Sequence, residues 1–167
     1  MAACLCLEHR LLVVRCVNQT TSVITTDQKG AIAELAIAHT AASLGIGVFK
    51  PLTDGERYDL IFDLRPHLVR VQCKTAVLSG STLRVPCFST RRCRDGFARR
   101  QYSTNEIDAI AAYNFELDRS FYIPLVDVSS RTYVQLRLSP CLNNQRIGVH
   151  WADEFALDAR LRSLVGP

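Results

Sequence analysis

Nowhere does this 167-residue chain hold the run of roughly 20 apolar residues that a membrane helix needs, so no membrane-spanning part is expected. The short apolar stretch Leu11–Val14 lies between Arg10 and Arg15 and has no signal-peptide shape, which leads us to expect a cytoplasmic protein. Paired cysteines are lacking too. The seven present (Cys4, Cys6, Cys16, Cys73, Cys87, Cys93, Cys141) are odd in number and form no Cys-x-x-Cys motif. His39, His67 and His150 are scattered, so neither a zinc site nor a disulfide framework is indicated, and reduced, mostly buried thiols are expected. Internal repeats and low-complexity linkers are also missing. With 48% hydrophobic residues, the length fits one domain with a real core.

Acid is scarce in one particular place. Residues 84 to 100 carry six arginines and one aspartate, a local charge of +5 in a chain whose total is +4, so the remainder is slightly acidic. Concentrating the whole excess in one segment marks a surface for a polyanion, with a solvated basic loop as the plain alternative.

The pattern of the chain predicts a mixed α/β domain. Thr26 or Asp27 can cap an alanine-rich helix that runs to Leu44 and ends at Gly45. A short strand begins at Val48-Phe49. Residues 57–63 and 68–75 read as strands joined through Leu64-Arg-Pro-His67, a length that suits a hairpin. Thr82–Phe88 reads as a further strand, followed by an arginine-rich loop. Ser103-x-x-Glu106 has the form of a capping box and predicts a helix to about Leu117, with Asp108 and Tyr113 as structural residues on it. Two more strands, 121–125 and 133–138, and an amphipathic helix from Ala152 to Leu164 complete the reading.

Within this order, Glu34, Asp59 and the run Gln72-Cys73-Lys74 stand out. Asp59 interrupts the apolar run Tyr58–Phe62, and Gln72 and Lys74 lie in the strand-like run Leu68–Lys74. Charge in a core strand is costly unless it is paired or binds something. Alternation places Gln72 and Lys74 on one face, and if Asp63 pairs with Leu68, Asp59 falls opposite Gln72. A one-residue slip would undo this grouping. Such a set suits magnesium-assisted phosphodiester chemistry. Asp59 would be the direct ligand, and Glu34 a ligand or a water-mediated partner. Gln72 offers a neutral side-chain oxygen, and Cys73 a backbone carbonyl. Lys74 would orient the attacking water or stabilise phosphate charge. The structural readings are simpler: an exposed helix acid at Glu34, Asp59 paired with Arg57 or Arg70, a surface lysine at Lys74 and a surface or packing role for His39.

Several segments together resemble the PD-(D/E)XK nuclease superfamily, in particular its group I intron-associated homing endonuclease branch, which has Holliday-junction resolvases as structural relatives. They are Lys29–Glu34, Arg57–Ile61, Val69–Thr75, Tyr102–Tyr113, Phe121–Pro124 and Leu136–Gln145. The resemblance runs over about residues 26 to 158. It implies a restriction-endonuclease-like α/β fold with a central mixed sheet flanked by helices, in a nuclease domain of residues 26–167 preceded by an extension of residues 1–25. It also implies Asp59 as the motif aspartate, Lys74 as the motif lysine and Glu34 as the helical glutamate. Gln72 stands where an acid is usual, as in the intron-associated branch, and Tyr58 stands where a proline precedes the motif aspartate. The expected function is a magnesium-dependent DNA endonuclease that is site-specific in the manner of a homing endonuclease, with Mn2+ as a possible substitute metal. Its expected partner is double-stranded DNA, and its expected state a homo-oligomer, dimer or tetramer. Arg91, Arg92, Arg94, Arg99 and Arg100 are the expected DNA contacts, with Gln101, Tyr102 and Asn105 as secondary ones. The competing readings are a Holliday-junction or branched-DNA resolvase and a DNA-binding module on this fold without catalysis, the latter supported by the missing acid at position 72.

Overall fold

The computed structural model describes residues 24–128, 131–140 and 148–166. Cys4, Cys6, Cys16, Cys141 and nearly all of the expected extension lie outside these residues. The first element is helix α1 (Thr26–Ser43), capped one residue earlier than the pattern suggests. The Thr25 hydroxyl accepts from the Gln28 amide at 3.2 Å, and the Gln28 side chain accepts from the Thr25 amide at 2.9 Å. After Leu44, Gly45 adopts φ 78° and its amide returns to the Ala42 carbonyl, which ends the helix. Ala33, Ile37 and Ala41, spaced four apart, form its buried stripe.

Strands β1 (Gly47–Phe49), β2 (Leu60–Leu64) and β3 (His67–Thr75) follow, with β2 and β3 joined by the tight turn at Arg65-Pro66. Then come β4 (Val77–Ser79), β5 (Thr82–Pro86), β6 (Phe88–Cys93), β7 (Gly96–Gln101), β8 (Ala109–Asn114), β9 (Arg119–Pro124), β10 (Tyr133–Arg137), β11 (His150–Trp151) and helix α2 (Leu157–Val165). The main sheet has the order β1-β2-β3-β8-β9 and is mixed, because β3 and β8 run parallel and the other pairs antiparallel. A second sheet, β11-β10-β5-β4, covers one of its faces, and β6 and β7 form a separate two-stranded ribbon.

The two faces of the main sheet build two cores. Phe62, Val71, Ala109 and Ala111 meet Ile37 and Ala41 of α1 and Leu157 and Leu161 of α2. Ile110, Ala112, Phe121 and Ile123 meet Leu83, Val85, Val134 and Leu136 of the second sheet. Both helices therefore cover the same face, while strands cover the other. None of the described helices is long and apolar enough to cross a membrane.

Three sequence expectations are corrected. The arginine-rich loop is the β6–β7 ribbon, turning at Arg94-Asp95. The C-terminal helix is split into a 3-10 turn, Ala152–Phe155, and α2. The helix expected from Ser103 to Leu117 is a single turn followed by β8. Its capping contacts exist: the Ser103 amide donates to Glu106 at 3.1 Å and the Glu106 amide to the Ser103 carbonyl at 2.9 Å. The chain then straightens because Asp108 is caught by Arg70, which donates from its backbone amide at 2.7 Å and from Nη2 at 2.8 Å. The alanine-rich run beyond is buried on both sides, as an interior parallel strand must be. Asp108 and Tyr113 thus lie on or beside a strand.

The Arg70 guanidinium also reaches the Asn105 and Thr104 carbonyls at 2.5 and 3.1 Å, so it fastens the 103–108 turn onto β3. Arg70→Ala is expected to lower Tm by about 6 °C, the effect of losing roughly 2 kcal/mol of charge-assisted hydrogen bonding. Arg70 holds the Asp108 carboxyl below its ordinary value of 3.8, so the ionised form stabilises the fold above that pH and the contribution fades as pH falls through the depressed value. Melting between pH 2 and pH 7, as an approximate range around the ordinary carboxylate pKa, should show a flatter acid limb in the variant. An equally steep limb would assign acid sensitivity elsewhere.

Candidate active site

The register that gathers the site is the one the hairpin implies: Asp63 pairs with Leu68 and Leu60 with Val71. Asp59, just before β2, donates its amide to the Val71 carbonyl at 2.9 Å and so lies across from Gln72. Its Oδ2 accepts the Cys73 amide at 2.7 Å and the Gln72 side-chain amide. Gln72 is buried and also donates to the Cys73 carbonyl at 3.3 Å. Val71 and Cys73 point into the helix-side core, which leaves Gln72 and Lys74 on the opposite face.

Burial dominates the electrostatics. It raises the Asp59 carboxyl above the usual value against the Cys73 amide bond, with Glu34 adding to the rise and Lys74 and Lys50 opposing it. Burial lowers the Lys74 ammonium, while Asp59 pulls it back up and Arg57 lowers it further. Burial also pushes the Cys73 thiol up, out of the nucleophilic range.

Glu34 extends from α1 into a cavity of about 170 Å³ that it shares with Asp59, Lys50, Asp54 and Glu56. Its Oε2 accepts from the Lys50 ammonium at 2.7 Å. Lys50 is a site neighbour that the sequence reading missed. A lysine after a short strand and before Pro51 looks like any surface lysine, so no sequence signal marks it.

Among the described residues, no group of three or more His, Cys, Asp or Glu side chains could hold a metal by itself. The donors present still fit magnesium. That ion takes hard oxygens, commonly one or two carboxylates, and keeps several waters. Asp59 and Glu34 are the two acids, the Cys73 carbonyl is a neutral donor, and Gln72 becomes one when its amide turns its oxygen towards Asp59. In the structure the Gln72 nitrogen faces the Asp59 carboxylate, as charge complementarity requires. His39 is exposed on α1 and stands outside this set.

The ribbon places the arginines on two different faces. Opposed pairs are Ser89 with Arg100, Thr90 with Arg99, Arg91 with Ala98 and Arg92 with Phe97. Side chains alternate along each strand, so Arg91 and Arg100 share one face and Arg92 and Arg99 the other. Arg91 and Arg100 line a cavity of about 540 Å³ with Gly55, Glu56 and Arg57, beside the acid site. Arg94 lies in the exposed turn, and Gln101 is exposed at the ribbon's base. Asn105 is exposed in the 103–108 turn.

Tyr102 differs from its neighbours in being only 8% exposed. Its ring lies 4.6 Å from the Arg57 guanidinium carbon and 5.2 Å from Lys74 Nζ. Arg57 does not pair with Asp59. Its Nε donates to Glu106 at 3.1 Å, and Arg100 is paired with the same carboxylate oxygen at 2.5 Å. Sequence reasoning saw Glu106 only as a capping residue.

The PD-(D/E)XK endonuclease family matches residues 24–158. Among solved structures, the chain is similar to the bacterial homing endonuclease I-Ssp6803I. The two are 31% identical, with 82% of this chain and 92% of that one covered and a TM-score of 0.66. MepB aligns at 14% identity over 71% of this chain and 82% of its own, with a TM-score of 0.32. No curated protein matches the sequence.

Proposed function

The chain belongs to the PD-(D/E)XK endonuclease family, and from that premise we propose that it is a magnesium-dependent endonuclease cutting double-stranded DNA at a specific site, as a homing endonuclease does. The observation that carries this reading is the register that sets Asp59 against Gln72 and Cys73 with Lys74 on the same face. Residues 26–167 form the nuclease domain in this reading.

Hydrolysis requires water oxygen to bond to phosphorus as the bond to the leaving deoxyribose oxygen breaks, with one proton lost from the water and one gained by that oxygen. Asp59, Glu34, the Gln72 oxygen and the Cys73 carbonyl would hold magnesium, or manganese in its place. When bound, the metal supplies positive charge to the phosphate and makes a nearby water more acidic. Lys74 donates a hydrogen bond to the attacking water or to a phosphate oxygen, and its neighbourhood strengthens that contact by excluding solvent. Lys50 pairs with Glu34 at 2.7 Å and would be free to meet phosphate if Glu34 held the metal. The ribbon arginines carry the affinity for DNA. Asn105 and Gln101, both exposed, are placed to add contacts to the backbone or to bases.

The described residues of one chain hold one such site, whereas a duplex has two strands. Cutting both calls for at least a symmetric dimer, and a dimer or tetramer is the assembly we assign. We place the activity in the cytoplasm, where the unpaired thiols of Cys73, Cys87 and Cys93 would stay reduced.

The test is cleavage of a randomised duplex library and of a four-way junction, in magnesium and in EDTA, beside Lys74→Ala. Magnesium-dependent cuts at one duplex sequence, lost in Lys74→Ala, are expected. Cutting confined to the junction would make the protein a resolvase. Tight, salt-sensitive binding with no cutting would make it a non-catalytic module, the reading that the amide at position 72 favours.

A further inference from the structure

Lys74 has a task that its own side chain cannot secure. It ends a flexible four-carbon stem, and among the described residues no protein group accepts a hydrogen bond from its ammonium. An ångström of drift in a group that must meet a reacting phosphate is enough to slow the reaction severely. The ammonium lies over the face of the Tyr102 ring, 5.2 Å from its centre.

That ring is itself tightly held. Tyr102 follows directly on Gln101, the last residue of β7, and precedes the turn that carries Glu106. Arg57 braces the ring and forks three ways: Nη1 to Ser89 Oγ of β6 at 2.8 Å, Nη2 to the Gln101 carbonyl of β7 at 3.3 Å, and Nε to Glu106. One guanidinium therefore staples both strands of the ribbon at their base. It stands two residues before Asp59. Glu106, which also pairs with Arg100, holds the Arg57 guanidinium in place against the ring.

We propose that Tyr102 is a positioning residue whose ring is the platform that sets Lys74 at the scissile phosphate, and that the Arg57–Glu106 pair ties this platform to the base of the DNA-binding ribbon. This role rests on the nuclease reading above. It assigns Tyr102 beneath the lysine rather than on the DNA, in keeping with its burial. Seating the ribbon on a duplex and seating the lysine are then one event.

The test separates the rate at saturating DNA from affinity. Tyr102→Phe keeps the platform and is expected to cut within about twofold of wild type, whereas Tyr102→Leu should cut about tenfold more slowly with an unchanged Kd for DNA. A series in which phenylalanine at position 102 carries one, two and three ring fluorines weakens the ring's negative face with little change of shape. The cutting rate should fall step by step along it.

Three results would overturn the role. One is a flat fluorination series. Another is Tyr102→Phe falling as far as Tyr102→Leu, which would place the effect on the hydroxyl. The third is weaker DNA binding with an unchanged rate at saturation, which would make Tyr102 a DNA contact. A wild-type chain that cuts no DNA would remove the nuclease reading and this role together. A cutting wild type with a flat series would remove this role alone.

Discussion

Asp59→Asn is expected to slow DNA cleavage in magnesium by about a thousandfold, the effect of several kcal/mol of lost charge stabilisation, while the metal-free protein melts no lower than wild type. The two halves have one cause. Burial raises the Asp59 carboxyl above its ordinary value, so the ionised form is the costly one in the fold. A group whose folded value is raised in this way subtracts stability at pH above that value, and the penalty vanishes below the unfolded value. Asparagine removes the penalty at neutral pH and still offers an oxygen to the Cys73 amide. Cleavage rates and melting curves at pH 7 check both halves. Wild-type cleavage would remove Asp59 from the chemistry, and a fall of several degrees in Tm would make it a structural anchor. A site less stable than its isosteric replacement is the ordinary cost of function.

The second large effect concerns the ribbon. Excision of residues 90–99, with Ser89 joined to Arg100 through two glycines, removes Arg91, Arg92, Arg94 and Arg99. The logarithmic salt dependence of duplex binding should become shallower by about 3.6, at roughly 0.9 per phosphate contact, and affinity should fall by about two orders of magnitude. The fold should survive. Every residue from Thr90 to Arg99 is exposed, and the retained pair Ser89–Arg100 keeps the Arg57 staple. Fluorescence anisotropy across a salt series reads the slope, and an unchanged slope would show that these arginines do not meet phosphate.

The legible parts of the sequence share a physical character. The Asp59–Gln72 register could be read because a tight turn leaves little freedom, and pairing Asp63 with Leu68 fixes the rest. Helix α1 could be read because its caps lie within the sequence that they cap. The ribbon was misread as a loop because charged, exposed strands lack the alternation that marks a half-buried one. The β8 segment was misread for the opposite reason. An alanine-rich run after a capping box has every local mark of a helix, and what overrides them is the distant Arg70 and the burial of both faces. Lys50, Arg57 and Glu106 entered the site the same way, through partners 16 and 49 positions away. Local pattern records local causes, and these have none.

The β6–β7 ribbon belongs to neither sheet, and Arg57 fastens its root through Ser89 and the Gln101 carbonyl. Its outer residues can therefore be rewritten with almost no consequence for folding, while the acids and the lysine stay where they are. On the proposed reading, the surface that meets DNA and the site that cuts it would then change at different speeds. Alterations confined to ten exposed residues could change the one and leave the other as it is.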